Sequence, residues 1–254
     1  VRYVQDFDVR TTPVLMLYPL DLLYANDRFG SWIVQYGYGD YITEEMLLKH
    51  SLLTSDGRIA IYNKTYNTVV ILFQPTIREE TLTLLTEFIR RGGKIVWMSI
   101  PPRISNNKIN IFEEWANLFG IKKDSEIKEE LHPREEVDFT GELEKVGKML
   151  IPTSLFPDMV YFLEYAEEAK PIAMLREKVV GSIKRVGNGL ALYLGFRVRD
   201  NQSEKIFTLF NLLKAIGSYK ENDVHDLSHT TSYIFTRFPN GAISVARHYY
   251  EVEE

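Results

Sequence analysis

Cysteine is absent from the 254 residues. That excludes disulfides, thiolate metal ligands and every mechanism built on a cysteine nucleophile. It leaves the compartment open, since secreted enzymes also do without cysteine. Long apolar runs are missing as well. The longest, such as residues 69–73 (VVILF), have strand length and fall far short of the roughly 20 residues of a membrane-spanning helix. Positive charge is in deficit, with 30 Lys and Arg against 35 Asp and Glu and a net charge of −5. An acidic balance offers no basic footprint for a nucleic-acid backbone, so neither nucleic acid nor membrane is an expected partner. No G-x-x-x-x-G-K-[ST] occurs, and no G-x-G-x-x-G follows a strand. The YGYGDY of residues 36–41 carries Gly37 and Gly39, but no helix starts on the second glycine. Repeats and low-complexity tracts are lacking too. The chain opens on Val1 with neither a basic n-region nor an apolar h-region. The expectation is a soluble, cytoplasmic chain cut from a longer one, with secretion left open.

What is present is an ordinary globular composition, 45% hydrophobic and 26% charged, sufficient for one large domain with at most a small appendage. Residues 14–18 (VLMLY), 69–73 (VVILF) and 94–98 (KIVWM) are continuous apolar runs, the pattern of strands buried on both faces. Between the last two lies a helix. Thr76 and Glu79 form a T-x-x-E capping box, Leu84, Leu85, Phe88 and Ile89 make the apolar stripe, and Gly92-Gly93 ends it in a left-handed cap. Strand, helix and strand at this spacing make a βαβ unit with parallel strands. A second helix runs over residues 110–119, with Asn110 as cap, Glu113 at N3, and Phe112, Trp115, Ala116 and Phe119 inward, until Gly120 stops it. Residues 124–148 are charged and poorly periodic and read as an exposed excursion. Residues 171–175 form a strand, and 179–185 with 190–196 form a hairpin around Gly187-Asn188-Gly189. A last helix begins at Ser203, buries Ile206, Leu209, Phe210, Leu213 and Ile216, and ends at Gly217. The sum is an α/β layered sheet, mainly parallel with an antiparallel edge contribution, over residues 12–218. Residues 219–254 read as a polar linker and a β-hairpin about Pro239-Asn240-Gly241, the start of a small β domain.

Chemistry is sparse. Ser99 ends the KIVWM strand, where a nucleophile elbow would sit. An elbow needs small residues two positions either side, and here those positions hold Trp97 and Pro101. His225 and His229 stand at i, i+4 beside Asp223 and Asp226, a spacing that could hold a metal on a helix, yet the surrounding pattern is that of a polar linker. Acidic pairs (Glu44-Glu45, Glu79-Glu80, Glu129-Glu130, Glu135-Glu136) are abundant. Glu44, Glu79 and Glu113 suit the first turns of helices, and the others lie in charged surface rather than in a desolvated site. No catalytic residue, metal ligand or cofactor is therefore assigned. The most unusual stretch is residues 28–41 (RFGSWIVQYGYGDY), with five aromatics among polar groups just past the first strand. Arg28, Trp32, Gln35, Tyr36, Tyr38, Asp40 and Tyr41, with Arg197 after a later strand, are the candidate binding or interface residues. Flat aromatics beside hydrogen-bonding groups suit a sugar, and the same residue types are enriched at protein contacts.

Residues 66–102 (YNTVVILFQPTIREETLTLLTEFIRRGGKIVWMSIPP) resemble the class I glutamine-amidotransferase-like domain found inside many glycoside hydrolases, above all the middle, or trimerisation, domain of family forty-two β-galactosidases. Residues 110–121 resemble its next helix, residues 187–203 (GNGLALYLGFRVRDNQS) its Gly-rich hairpin leading to a final helix, and residues 52–70 chains of the same kind. The resemblance spans roughly residues 14–217. It implies a flavodoxin-like fold with helices on both faces of the sheet. It implies no glutaminase, because the cysteine those enzymes place after the strand is replaced by the region of Met98, Ser99 and Ile100. It implies a non-catalytic accessory or oligomerisation domain, partnered by a catalytic barrel of the same parent chain and by further copies in a dimer or trimer, and lining a sugar pocket. A stand-alone sugar-binding module and an amidotransferase-like hydrolase using unrecognised residues are the alternative readings.

Overall fold

The computed structural model describes residues 12–19, 39–107, 110–124, 128–130, 132, 135–150, 159–198, 208–219, 233–237 and 243–247. β1 (Val14–Leu17) is buried at every residue, as its unbroken apolar sequence requires. β2 (Asp40–Ile42) pairs with it in parallel. Thr43 then caps α1 (Glu44–His50), its hydroxyl accepting from the Met46 amide at 3.3 Å. β3 (Ser51–Leu53), β4 (Ile59–Ile61) and β5 (Lys64–Tyr66) form a small antiparallel meander. β6 (Thr68–Ile71), α2 (Glu79–Arg91) and β7 (Lys94–Met98) are the expected unit, and the two strands are parallel neighbours.

The caps of these helices differ from the sequence reading. Arg78, not Thr76, occupies the N-cap of α2, with no side-chain cap bond of its own. Thr76 is drawn into a bridge with Ile104 instead. The exposed amides are met from elsewhere: Glu44 Oε1 accepts from the Arg78 amide at 2.5 Å and Asn106 Oδ1 from the Glu79 amide at 3.2 Å. Tertiary partners have replaced the local capping box. At the other end Gly92 takes φ 123°, beyond the left-handed helical value of about 57° and in a region suited to glycine. Helix α3 (Phe112–Phe119) starts one turn position later than expected, with Ile111 at the cap, while Asn110 Oδ1 still accepts from the Phe112 amide at 3.2 Å. Gly120 ends it in the left-handed conformation, φ 68°.

The charged stretch after α3 is not the exposed excursion expected. β8 (Ile121–Lys123) and β9 (Lys128–Glu130) are followed by β10 (Glu136–Phe139), a 3₁₀ turn over Gly141–Val146, and β11 (Lys148–Leu150). β10 and β11 join the main sheet, and Val137, Phe139, Leu143 and Met149 are core residues. β12 (Met159–Tyr161) and β13 (Glu164–Tyr165) pair back onto β9 and β8. β14 (Lys170–Leu175) is the expected strand, β15 (Lys178–Val186) and β16 (Gly189–Leu194) form the expected hairpin, and β14 makes a further hairpin with β15. α4 (Thr208–Ala215) is the described part of the last helix; Ser203 and Ile206 lie outside the described residues. β17 (Tyr233–Arg237) and β18 (Ile243–Arg247) are the antiparallel terminal hairpin.

The main sheet has nine strands in the order β11-β10-β14-β15-β16-β7-β6-β1-β2. Its β16-β7-β6-β1-β2 half is parallel and its β11-β10-β14-β15-β16 half antiparallel, so the antiparallel wing is as wide as the parallel block rather than an edge contribution. Alternation along the strands feeds two cores. Val14, Met16, Val70, Val96 and Met98 pack with Leu209, Phe210, Leu212 and Leu213 of α4 on one face. Leu15, Leu17, Val69, Ile71, Ile95 and Trp97 pack with α2 and α3 on the other. There Trp115 meets Phe119 at 5.0 Å and Tyr193 at 5.2 Å between ring centroids. Each such fully buried aromatic contributes about 2–3 kcal/mol.

Candidate functional site

One concave site among the described residues is an open, shallow cleft of about 380 Å³ lined by Asp40, Tyr41, Ile61, Tyr62, Asn63, Lys64 and Tyr66. It lies where the edge strand β2 meets the turn between β4 and β5. Asp40 opens β2, and its Oδ2 accepts from Lys64 Nζ at 2.7 Å and from the Tyr66 hydroxyl at 3.0 Å. The Lys64 and Asp40 side chains are 22% and 19% exposed, so the pair forms a partly desolvated and charge-balanced floor. The rim is aromatic. Tyr41 is 55% exposed and Tyr62 78%. Tyr41 leans on Tyr18 at 5.3 Å, and Tyr62 stacks on His50 at 5.3 Å with its hydroxyl 3.2 Å from Nδ1.

A second group stands at the carboxyl ends of the parallel strands, where open α/β sheets bind ligands. Ser99 follows β7 with φ 63°, which is one property of a nucleophile elbow that the flanking Trp97 and Pro101 had argued against. Its backbone is nevertheless spent: the amide donates to the Leu194 carbonyl at 2.8 Å, and the Ser99 carbonyl accepts from the Tyr193 hydroxyl at 2.8 Å. Burial pushes that phenol well above its ordinary range, so Tyr193 serves as a fixed donor. The Ser99 amide itself is thereby not available as an oxyanion donor. Of the described histidines, His50 stands with Tyr62, and the His132 backbone amide donates to Glu135. Gln74, 6% exposed, donates through Nε2 to the Thr76 carbonyl at 2.7 Å, while its buried Oε1 accepts no hydrogen bond. Arg197, 8% exposed, holds its guanidinium 5.9 Å from the Phe73 ring centroid.

Among the described residues no group of three His, Asp or Glu side chains could hold a metal, and no helix is long and apolar enough to cross a membrane. His225 and His229 lie outside the described residues. Of the acidic candidates, Glu44 is the tertiary cap of α2, and Glu129 and Glu135 are bound to Arg176; the Lys178 ammonium and then Arg176 hold the Glu129 carboxyl below the ordinary range, and Arg176 holds that of Glu135.

No protein-family model matches the chain. Over 115 residues, 45% of its length, the chain is 30% identical to the exo-β-D-glucosaminidase of Thermococcus kodakarensis, a stretch that covers 13% of that protein. The fold superposes on the GH42 β-galactosidase Gan42B of G. stearothermophilus with a TM-score of 0.58 and 16% identity, over 91% of this chain and 33% of that one. On the β-galactosidase of Bacillus circulans sp. alkalophilus the TM-score is 0.60 at 16% identity, over 90% of this chain and 34% of that one. The chain is similar to one domain of a glycoside hydrolase. It spans about a third of the length of these β-galactosidases, and their low identity shows the fold alone.

Three of the sequence-predicted site residues, Asp40, Tyr41 and Arg197, are among the described residues. Arg28, Trp32, Gln35, Tyr36 and Tyr38 lie outside the described residues. Asp40 and Tyr41 are together in the edge cleft. Arg197 is not with them: it follows β16, and β7, β6 and β1 intervene before β2, a separation of about 19 Å at the usual strand spacing. Tyr62, Asn63, Lys64 and Tyr66 were missed. Their signal was the short alternation of residues 59–66 about Tyr62-Asn63, which marks a hairpin but says nothing of what the hairpin faces.

Proposed function

We propose that this chain is an accessory domain of a carbohydrate-active enzyme, a β-galactosidase-like glycoside hydrolase, and that the chemistry of the parent enzyme resides outside it. One observation carries this reading. Nine-tenths of the chain overlies only a third of a β-galactosidase, while the described residues offer neither a desolvated carboxylate pair nor a nucleophile with its base. A catalytic (β/α)₈ barrel of about 250 residues fits in the remaining length of such a parent. In chain order the parallel strands are arranged 2-1-3-4-5, which is the flavodoxin-like order, and this supports the class I amidotransferase-like form of the fold.

In this role the aromatic stretch around Trp32 and Tyr38 meets a second copy or the barrel, with the partner burying side chains that a monomer seldom leaves in water. The test has two readings. Purified chain hydrolyses no aryl-glycoside and releases no ammonia from glutamine; turnover abolished by one substitution within these residues overturns the proposal. Replacing Trp32 and Tyr38 by Ala shifts a dimer or trimer toward monomer in analytical ultracentrifugation, or weakens assembly with a barrel-containing segment, with the far-UV circular dichroism unchanged. A double variant that unfolds instead places these residues in the core.

A further inference from the structure

We propose that the edge cleft between Tyr41 and Tyr62 is a saccharide subsite that takes a neutral pyranose unit. This goes beyond an accessory role, since the described residues that line the cleft all lie between residues 40 and 66. Its volume, about 380 Å³, falls in the range of small-molecule sites. A pyranose presents apolar C–H faces and a girdle of hydroxyls, and the cleft offers a counterpart to each. Tyr41 and Tyr62 supply two accessible rings at the rim. Lys64 has three donor hydrogens and spends one on Asp40. The exposed Asn63 carries both amide donors and an acceptor.

The backbone at Tyr62 is a second, independent observation. Tyr62 has φ 52°, the left-handed region that a bulky residue rarely takes and that Asn tolerates. Asn63 is its immediate neighbour, so the strained position is filled by the less suitable of the two. What Tyr brings there is a ring, oriented by His50 and held at the rim of the cleft. A backbone outlier on an exposed aromatic beside a cavity points to use of that side chain.

The charge balance selects the ligand. Among the described residues of the floor the Asp40 carboxylate is paired with Lys64 at 2.7 Å, one charge of each sign, so these groups favour neither an ammonium nor a carboxylate. A neutral hexose is favoured over an amino sugar or a uronic acid. The Tyr rings also flank a polar floor rather than forming one continuous apolar face, which suits a sugar better than a protein helix.

The experiment titrates the 254-residue chain with cellobiose, galactobiose and the glucosamine disaccharide, followed by isothermal calorimetry and saturation-transfer NMR. The variants are Tyr41→Ala, Tyr62→Ala and Tyr62→Gly. Saturable binding of a neutral disaccharide is expected, stronger than that of the amino disaccharide and weakened on the order of tenfold by either Ala substitution. Tyr62→Gly relieves the left-handed residue, so it melts no lower than the parent chain and still loses binding, which separates ring loss from unfolding. No saturable binding, binding that survives all three substitutions, or preference for the amino disaccharide overturns the proposal. So does a Tyr62 variant that changes the sedimentation coefficient and leaves sugar binding intact, because the cleft is then a protein contact. None of these outcomes bears on whether the chain hydrolyses glycosides.

Discussion

Replacing Arg176 by Met should release the charged segment that the sequence presented as surface. Arg176 and Glu177 form the two-residue turn between β14 and β15, with φ 50° and 61°, the geometry of a type I′ turn normally built from Asn and Gly. From this turn Arg176 grips three parts of the β9–β10 segment. Nε and an Nη bond the two oxygens of Glu135 at 2.6 and 2.7 Å, an Nη donates to the Glu130 carbonyl at 2.7 Å, and another reaches Glu129. The Arg176 and Glu135 side chains are 25% and 22% exposed. The bidentate pair, screened by solvent, contributes about 1 kcal/mol, and the bond to the carbonyl about 1 kcal/mol. Met keeps much of the aliphatic packing, so the loss is about 2 kcal/mol, or about 4–8 °C in melting temperature for a chain of this size. In the variant Glu135 retains the His132 amide and Glu129 retains Lys178, so the segment loosens rather than the whole sheet. Hydrogen exchange should therefore quicken first at residues 128–139. The pH dependence follows from the same contacts. Glu129 and Glu135 titrate below the ordinary value of 4.5, so their stabilisation is complete above that value and is lost as the pH falls through their lowered folded-state values. Arg176→Met should flatten this acid slope. An unchanged melting temperature at pH 7 together with an unchanged slope between pH 5 and about 3 would refute the reasoning.

Two further outcomes test the backbone. Glu177→Gly removes a side chain from a left-handed position and should stabilise the chain by about 0.5 kcal/mol, the strain relieved less the extra entropy of glycine; a lower midpoint in urea counts against the turn assignment. Gly189→Ala should destabilise by about 3 kcal/mol or more, because a Cβ there would lie 2.1 Å from the Ile89 carbonyl oxygen and 2.3 Å from that of Gly93. A variant that melts with the parent chain would show that β16 does not close against the end of α2.

By itself the sequence determined the elements whose signals are local. β1, β6 and β7 were legible because strands buried on both faces must be apolar at every position. The ends of α2 and α3 were legible because Gly92 and Gly120 take backbone angles that other residues resist. The β15–β16 hairpin declared itself through its turn residues, and the lack of cysteine removed whole classes of mechanism. What the tertiary structure decided depends on partners distant in sequence. The caps of α2 come from Glu44 and Asn106, 34 and 27 residues away, which no local pattern encodes. β10 alternates over only four residues amid charge, and becomes a core strand because β14 stands beside it and Arg176 neutralises its neighbours. The edge cleft joins Asp40 to Lys64 and Tyr66 across 24 and 26 residues. Of its residues the sequence marked Asp40 and Tyr41, since aromatic and charged residues can be read from a string, while the floor and the opposite wall exist only once β5 has folded back against β2.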